Sequence, residues 1–110
     1  MSETAAIRIL LVDDQPLLRM GFRLILEGED DLCVVGEASD GAEAVRQVRD
    51  LTPDVVLMDV AMPLLDGVEA TRRLRRLLPS ARIVAFAGSD DKEVITAMIE
   101  AGASAYCMKG

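Results

Sequence analysis

Asp13-Asp14, Asp59 and Lys109 are the residues of this chain best suited to chemistry. Each stands where an apolar run gives out: Ile7–Val12 ends in Asp13-Asp14, Val55-Val56-Leu57-Met58 in Asp59, and Ala105–Met108 in Lys109. Short apolar runs of this kind read as strands buried on both faces of a parallel sheet, and such sheets bind ligands beyond the carboxyl ends of their strands. Three carboxylates within a few ångströms of one another repel unless a cation sits among them. Oxygen-only donors select a hard ion. Mg²⁺ takes one or two carboxylates plus waters and leaves positions for a phosphoryl oxygen. An aspartate can accept a phosphoryl group as an aspartyl-phosphate, and a lysine can pair with a carboxylate or with the phosphoryl oxygens. The set supplies a nucleophile, metal ligands and a charge clamp, and transfer to an ionised carboxylate needs no general base. Singly the pieces are ordinary, since an Asp-Asp pair also caps helices and a lysine at a strand end is usually solvated. Their placement together is what matters.

The elements that must place them alternate along the chain. After the first strand, Pro16 suits a helix start, and Leu18, Phe22 and Ile25 recur at helical spacing until Gly28. Leu32–Val35, continuing toward Ala38, is a second strand. Asp40-Gly41 leads into a helix through about Leu51 with Ala44, Val45, Val48 and Leu51 on one face, closed by Pro53. The Val55–Met58 strand follows, then a loop with Pro63 and Gly67, a helix over Val68–Leu78 with Ala70, Leu74 and Leu77 inward, and a strand over Ile83–Ala87. Asp91–Ala101 is a helix with Val94, Ala97, Met98 and Ala101 aligned, closed by Gly102, and Ala105–Met108 is a fifth strand. Strands alternating with helices of this length imply right-handed crossovers in a doubly wound α/β domain. The compact alternation favours a flavodoxin-like five-stranded parallel sheet of order 2-1-3-4-5, in which strands one and three are neighbours. Asp13-Asp14 and Asp59 then end side by side.

Composition bounds the rest. A chain of 110 residues forms one domain, and with 51% hydrophobic but only 3% aromatic residues its core must be aliphatic. A net charge of −7 argues against the domain holding nucleic acid or an anionic membrane by itself. Neither a spanning segment nor a signal peptide is evident, so a cytosolic (cytoplasmic) location is expected, with a short disordered lead over Met1–Ala6. The chain has no histidine, which removes Ser-His and Cys-His catalysis. Cys33 and Cys107, both in strand-like contexts, are expected to be buried reduced thiols. Arg72, Arg73, Arg75 and Arg76 are expected to form a solvated basic face of the third helix.

Leu11-Val12-Asp13-Asp14, Val56-Leu57-Met58-Asp59 with Met62-Pro63 and Asp66-Gly67, and Gly102-Ala103 leading to Tyr106 and Lys109 resemble the receiver domain of two-component response regulators over nearly the whole chain. Asp14-Gln15-Pro16-Leu17, Val34-Val35-Gly36-Glu37-Ala38 and Gly67-Val68-Glu69-Ala70-Thr71 are similar to the NarL/FixJ (LuxR-type) subfamily. The resemblance implies a phosphoacceptor rather than an enzyme: residues 1–110 as the N-terminal receiver of a longer transcription regulator, with a helix-turn-helix DNA-binding output beyond this chain. It implies that Asp59 takes a phosphoryl group from a sensor histidine kinase. Asp14, Asp59 and the backbone carbonyl of Ala61 would ligate Mg²⁺, with Asp13 acting largely through water. Lys109 would contact the phosphoryl oxygens, and Tyr106 would be the aromatic switch.

Two departures stand out. The family places Thr or Ser at the end of strand four, and aligning Arg82-Ile83-Val84-Ala85-Phe86 puts Ala87 there. A methyl group cannot hydrogen-bond a phosphoryl oxygen, so phosphorylation is expected to couple weakly to Tyr106. The family's fifth helix, the last, is missing from the chain, so one sheet face is expected to stay apolar and to favour a homodimer or other self-association. Two other classes remain open. An aspartate-nucleophile phosphatase wants Asp-x-Asp after strand one, which Asp13-Asp14-Gln15 does not supply. A phosphorylation-independent, receiver-like interaction module is the other, motivated by Ala87.

Overall fold

The computed structural model describes residues 6–60, 67–87 and 92–108. Five strands, β1 (Ile7–Val12), β2 (Leu32–Ala38), β3 (Val55–Asp59), β4 (Arg82–Ala87) and β5 (Ala105–Met108), alternate with four helices, α1 (Pro16–Glu27), α2 (Gly41–Leu51), α3 (Gly67–Leu77) and α4 (Lys92–Ala101). The strands pair in parallel in the order 2-1-3-4-5, as the alternation implied.

Side chains along each strand alternate between two cores. Leu10 and Val12 of β1, Val56 and Met58 of β3, and Ile83 and Ala85 of β4 meet Ala44 and Val48 of α2, Ala70 and Leu74 of α3, and Met98 of α4. The intervening residues Ile9, Leu11, Val55 and Leu57 meet α1 through Phe22 and Leu26. Phe22 also meets Phe86 of β4 in a tilted ring contact, with centroids 5.0 Å apart. Three helices thus close one face, and α1 is the helix on the other among the described residues.

The register of α1 differs from the spacing read in the sequence. Phe22 and Leu26 make its packing face, Leu18 is half-buried, and Ile25 is 71% exposed. Leu17, Met20 and Leu24 also face solvent, and no residue of this helix is fully buried. Arg19, Arg23 and Glu27 form one polar stripe along this helix, and the rest of its surface is apolar, so the spacing alone does not select which apolar residues turn inward.

Both cysteines are exposed rather than buried. Cys33 and Cys107 lie on β2 and β5, the two edge strands. Cys107 follows Tyr106, which packs on the larger core, so the thiol projects to the opposite face.

Arg75 is likewise not a solvated charge. Its Nη1 donates to the carbonyls of Pro79 and Ala81 at 2.8 and 2.6 Å, and its Nε and Nη2 donate to the Gly102 carbonyl at 3.2 and 2.7 Å. One guanidinium thus ties the end of α3 to the start of β4 and the end of α4. Gly102, at φ +119°, lies against it, and a Cβ there would come within 3.1 Å of the Arg75 stem. Arg72 and Arg73 fit the expectation, pairing with Glu69 on the exposed side of α3. Arg75→Ala should lower stability by roughly 1–3 kcal/mol through the carbonyls left without their charged donor. Arg75→Lys, with one ammonium for three carbonyls, should fall between the two in urea denaturation.

Candidate functional site

The ends of β1 and β3 build the site. Their register pairs Val12 with Met58, which brings the next residues, Asp13 and Asp59, level on neighbouring strands. Both are nearly inaccessible, at 1% and 2% exposure, whereas Asp14 is exposed at the mouth. One carboxylate oxygen from each of the three lies within 4.8 Å of the others. The convergence inferred from sequence is therefore present in space.

Local contacts fix Asp13 and the peptide that carries Asp59. The Asp13 N–H donates to the Ala38 carbonyl of β2 at 3.0 Å, and Asp13 Oδ1 accepts the Gln15 N–H at 2.9 Å. Pro16 then starts α1 at a position where its missing N–H costs nothing. Behind Asp59, the Val60 N–H donates to the Phe86 carbonyl and the Gly67 N–H to the Val60 carbonyl, each at 3.1 Å. Gly67 packs so closely that a Cβ would lie 2.6 Å from the Asp59 carbonyl oxygen and 2.7 Å from the Val60 Cα. The first turn of α3 is thus pressed onto the peptide that carries Asp59.

Carboxylate oxygens within 4.8 Å of one another can be served by one small cation, bound directly or through water. The donor set, oxygen only, has the chemistry of a hard cation, and Asp13, Asp14 and Asp59 fit that ion.

The other expected site residues divide. Tyr106, on β5, is half-buried and packed against the larger core. Ala87 closes β4 one residue beyond Phe86, the β4 partner of Asp59, and pairs with Met108. Lys109 and Ala61, as well as Met62-Pro63 and Asp66 of the motif after Asp59, lie outside the described residues.

A charged network that the motifs did not disclose stands beside the acidic cluster. Arg19 of α1 donates through Nη1 to the Asp13 carbonyl at 2.6 Å and through Nε to Glu37 Oε1 at 2.9 Å. Arg23 donates to the second oxygen of Glu37 and also pairs with Glu27. The signal was there: Glu37 is the one charged residue in the strand Leu32–Ala38. The hydrogen bond from Arg23, and then that from Arg19, holds the Glu37 carboxyl below its ordinary value of 4.5. A depressed carboxyl stabilises the fold fully above its unfolded value, and that contribution disappears as pH falls through the folded one. Glu37→Gln should therefore be less stable than the parent at neutral pH. The gap between their melting temperatures should close as the pH drops below 4.5.

Residues 9–110 match the family model described as the response regulator receiver domain. The chain is 45% identical over 103 residues to the transcriptional regulatory protein LiaR of Bacillus subtilis, covering 94% of this chain and 49% of that one. It is 38% identical over 109 residues to the nitrate/nitrite response regulator protein NarL of Escherichia coli, covering 99% and 50%. The chain thus spans about half the length of these curated relatives. Among solved structures, a LuxR-family two-component response regulator from Aurantimonas superposes with a TM-score of 0.91 at 42% identity, over 96% of this chain and 76% of that one. The receiver domain of a NarL response regulator from Mycobacterium tuberculosis does so at 0.89 and 31% identity, over 94% and 84%.

Proposed function

This chain belongs to the response regulator receiver family, of the NarL/LuxR type, and from that premise we propose that Asp59 accepts a phosphoryl group from a histidine kinase in a Mg²⁺-dependent reaction. The observation that carries the reading is the set of three carboxylates within 4.8 Å at the carboxyl edge of the parallel sheet. A carboxylate oxygen of Asp59 attacks phosphorus as the donor's P–N bond breaks, and the imidazole leaves with the electron pair of that bond. Asp59 stands at the end of β3, with Gly67 packed against the peptide that carries it. Asp14 and Asp59, with Asp13 acting largely through water, would hold Mg²⁺, which when bound neutralises charge on the transferring group. The Ala61 carbonyl completes the proposed ligand set, and Lys109 is the cationic partner of the acyl phosphate. Signal output would run through a DNA-binding segment outside this chain, with self-association as a further means of control. No helix among the described residues is long and apolar enough to cross a membrane; the proposed location is the cytoplasm.

The test is incubation of the chain with a small phosphodonor, with and without Mg²⁺, followed by intact mass. A single Mg²⁺-dependent phosphoryl adduct supports the proposal. Its absence in both conditions overturns it in favour of an interaction module that works without phosphorylation. Continuous turnover of the donor without an adduct would instead place the chain among phosphatases.

Ala87 bears on how the signal leaves the site. Without a hydroxyl at this position, the phosphorylated and free states differ by one contact fewer, and a ligand shifts an equilibrium only by its differential contacts. Ala87→Thr should enlarge the phosphorylation-dependent chemical-shift changes at Tyr106 and along β5. Equal changes in parent and variant would show that this position does not limit coupling.

A further inference from the structure

The acidic cluster contains one residue whose placement its own contacts do not explain. Asp13 is fixed through its N–H, its carbonyl and its carboxylate. Asp14 is exposed, and among the described residues its carboxylate has no hydrogen-bond or ion-pair partner. Its position therefore depends on the peptide that carries it, and that peptide begins with the Asp13 carbonyl gripped by Arg19.

Three features make the grip more than a surface pair. Arg19 uses separate nitrogens for the carbonyl and for Glu37, so the guanidinium plane is fixed at both ends. Glu37 is held in turn, because its second oxygen accepts from Arg23. The Glu37 main chain is also secured, its carbonyl accepting from Gln47 Nε2 at 3.0 Å. The charge balance matters as well. A guanidinium with no partner of its own would be drawn onto the nearby carboxylates and would compete with a cation there. Glu37 neutralises Arg19 on the far side and leaves it to bind a carbonyl, so the carboxylates keep their charge for the metal.

We propose that Arg19 and Glu37 act together as the positioning device of the divalent-cation site, setting the Asp13–Asp14 peptide so that the exposed Asp14 carboxylate meets the ion. The inference rests on the cation-binding reading of the cluster. Partners of metal ligands commonly change affinity by ~10–100-fold when removed, and the lower end suits a pair that acts through the main chain.

The experiment is Mn²⁺ binding to the whole chain followed by electron paramagnetic resonance, with melting in EDTA alongside. Arg19→Ala and Glu37→Ala should each weaken Mn²⁺ binding by roughly tenfold at a temperature where circular dichroism shows both fully folded. The double variant should be no weaker than Arg19→Ala, because one device has been removed. Arg19→Lys should recover part of the affinity through the carbonyl contact alone. A purely structural ion pair would lower the melting temperature and leave the affinity unchanged, so parental affinity in Arg19→Ala overturns the proposal. If Arg19→Ala does not fold, Glu37→Gln decides by the same criterion. Failure of the parent to bind Mn²⁺ would remove the cation site itself, and this inference with it; a binding parent with unaffected variants removes the inference alone.

Discussion

Asp59→Asn should abolish the phosphoryl adduct completely and yet melt higher than the parent in the absence of divalent cations. The two halves of this result have separate causes. An amide oxygen is a poor nucleophile toward phosphorus, and among the described residues the other two carboxylates of the cluster, Asp13 and Asp14, follow β1 rather than β3. The stability gain follows from electrostatics. Three carboxylates converge within 4.8 Å, and two of them are withdrawn from water. Like charges ~4 Å apart repel by on the order of 1–4 kcal/mol per pair between aqueous and protein-like dielectric limits. Asn keeps the size of the side chain and removes one charge. Added Mg²⁺ should accordingly raise the melting temperature of the parent and have little effect on the variant. A differential scanning experiment with and without Mg²⁺, beside intact mass, reads both. An adduct that persists in Asp59→Asn would move the acceptor elsewhere.

The second large effect is expected where no charge is involved. Replacing glycine by alanine within a helix ordinarily stabilises by roughly 0.5–1 kcal/mol. At Gly67 the sign should reverse. The new Cβ would meet the Asp59 carbonyl oxygen at 2.6 Å and the Val60 Cα at 2.7 Å, both backbone atoms that cannot swing aside. Either the end of β3 or the first turn of α3 must move. Overpacking of this kind costs roughly 1–3 kcal/mol, visible as a lower urea midpoint. The displaced segment carries Asp59, so adduct formation should also slow, even at temperatures where the variant remains folded. A Gly67→Ala protein with parental stability would show that the contact relaxes freely.

The sheet order and the acidic cluster were legible in the sequence for one reason. Central strands such as Leu10–Val12 and Val56–Met58 are covered on both sides, fully on the larger core, and are apolar throughout, so a carboxylate at their end is conspicuous. Legibility failed where that contrast was missing. α1 offers Leu17, Leu18, Met20, Phe22, Leu24, Ile25 and Leu26 in one stretch, and only the sheet beneath chooses Phe22 and Leu26. Cys33 and Cys107 have apolar neighbours, but they sit on the two edge strands, where local sequence does not reveal which side is covered. Arg75 looked like its neighbours Arg72 and Arg76, because the Gly102 carbonyl it holds is 27 positions away. Gly67 read as a turn residue, whereas its necessity comes from the close approach of a strand end.

The exposed edge thiols have a practical consequence. The chain already carries two accessible attachment points for maleimide dyes or spin labels, one on each outermost strand. Neither requires an engineered cysteine, and neither label would disturb the interior. A pair of labels at these positions would form a ruler laid across the full width of the sheet, with the acidic cluster between its ends.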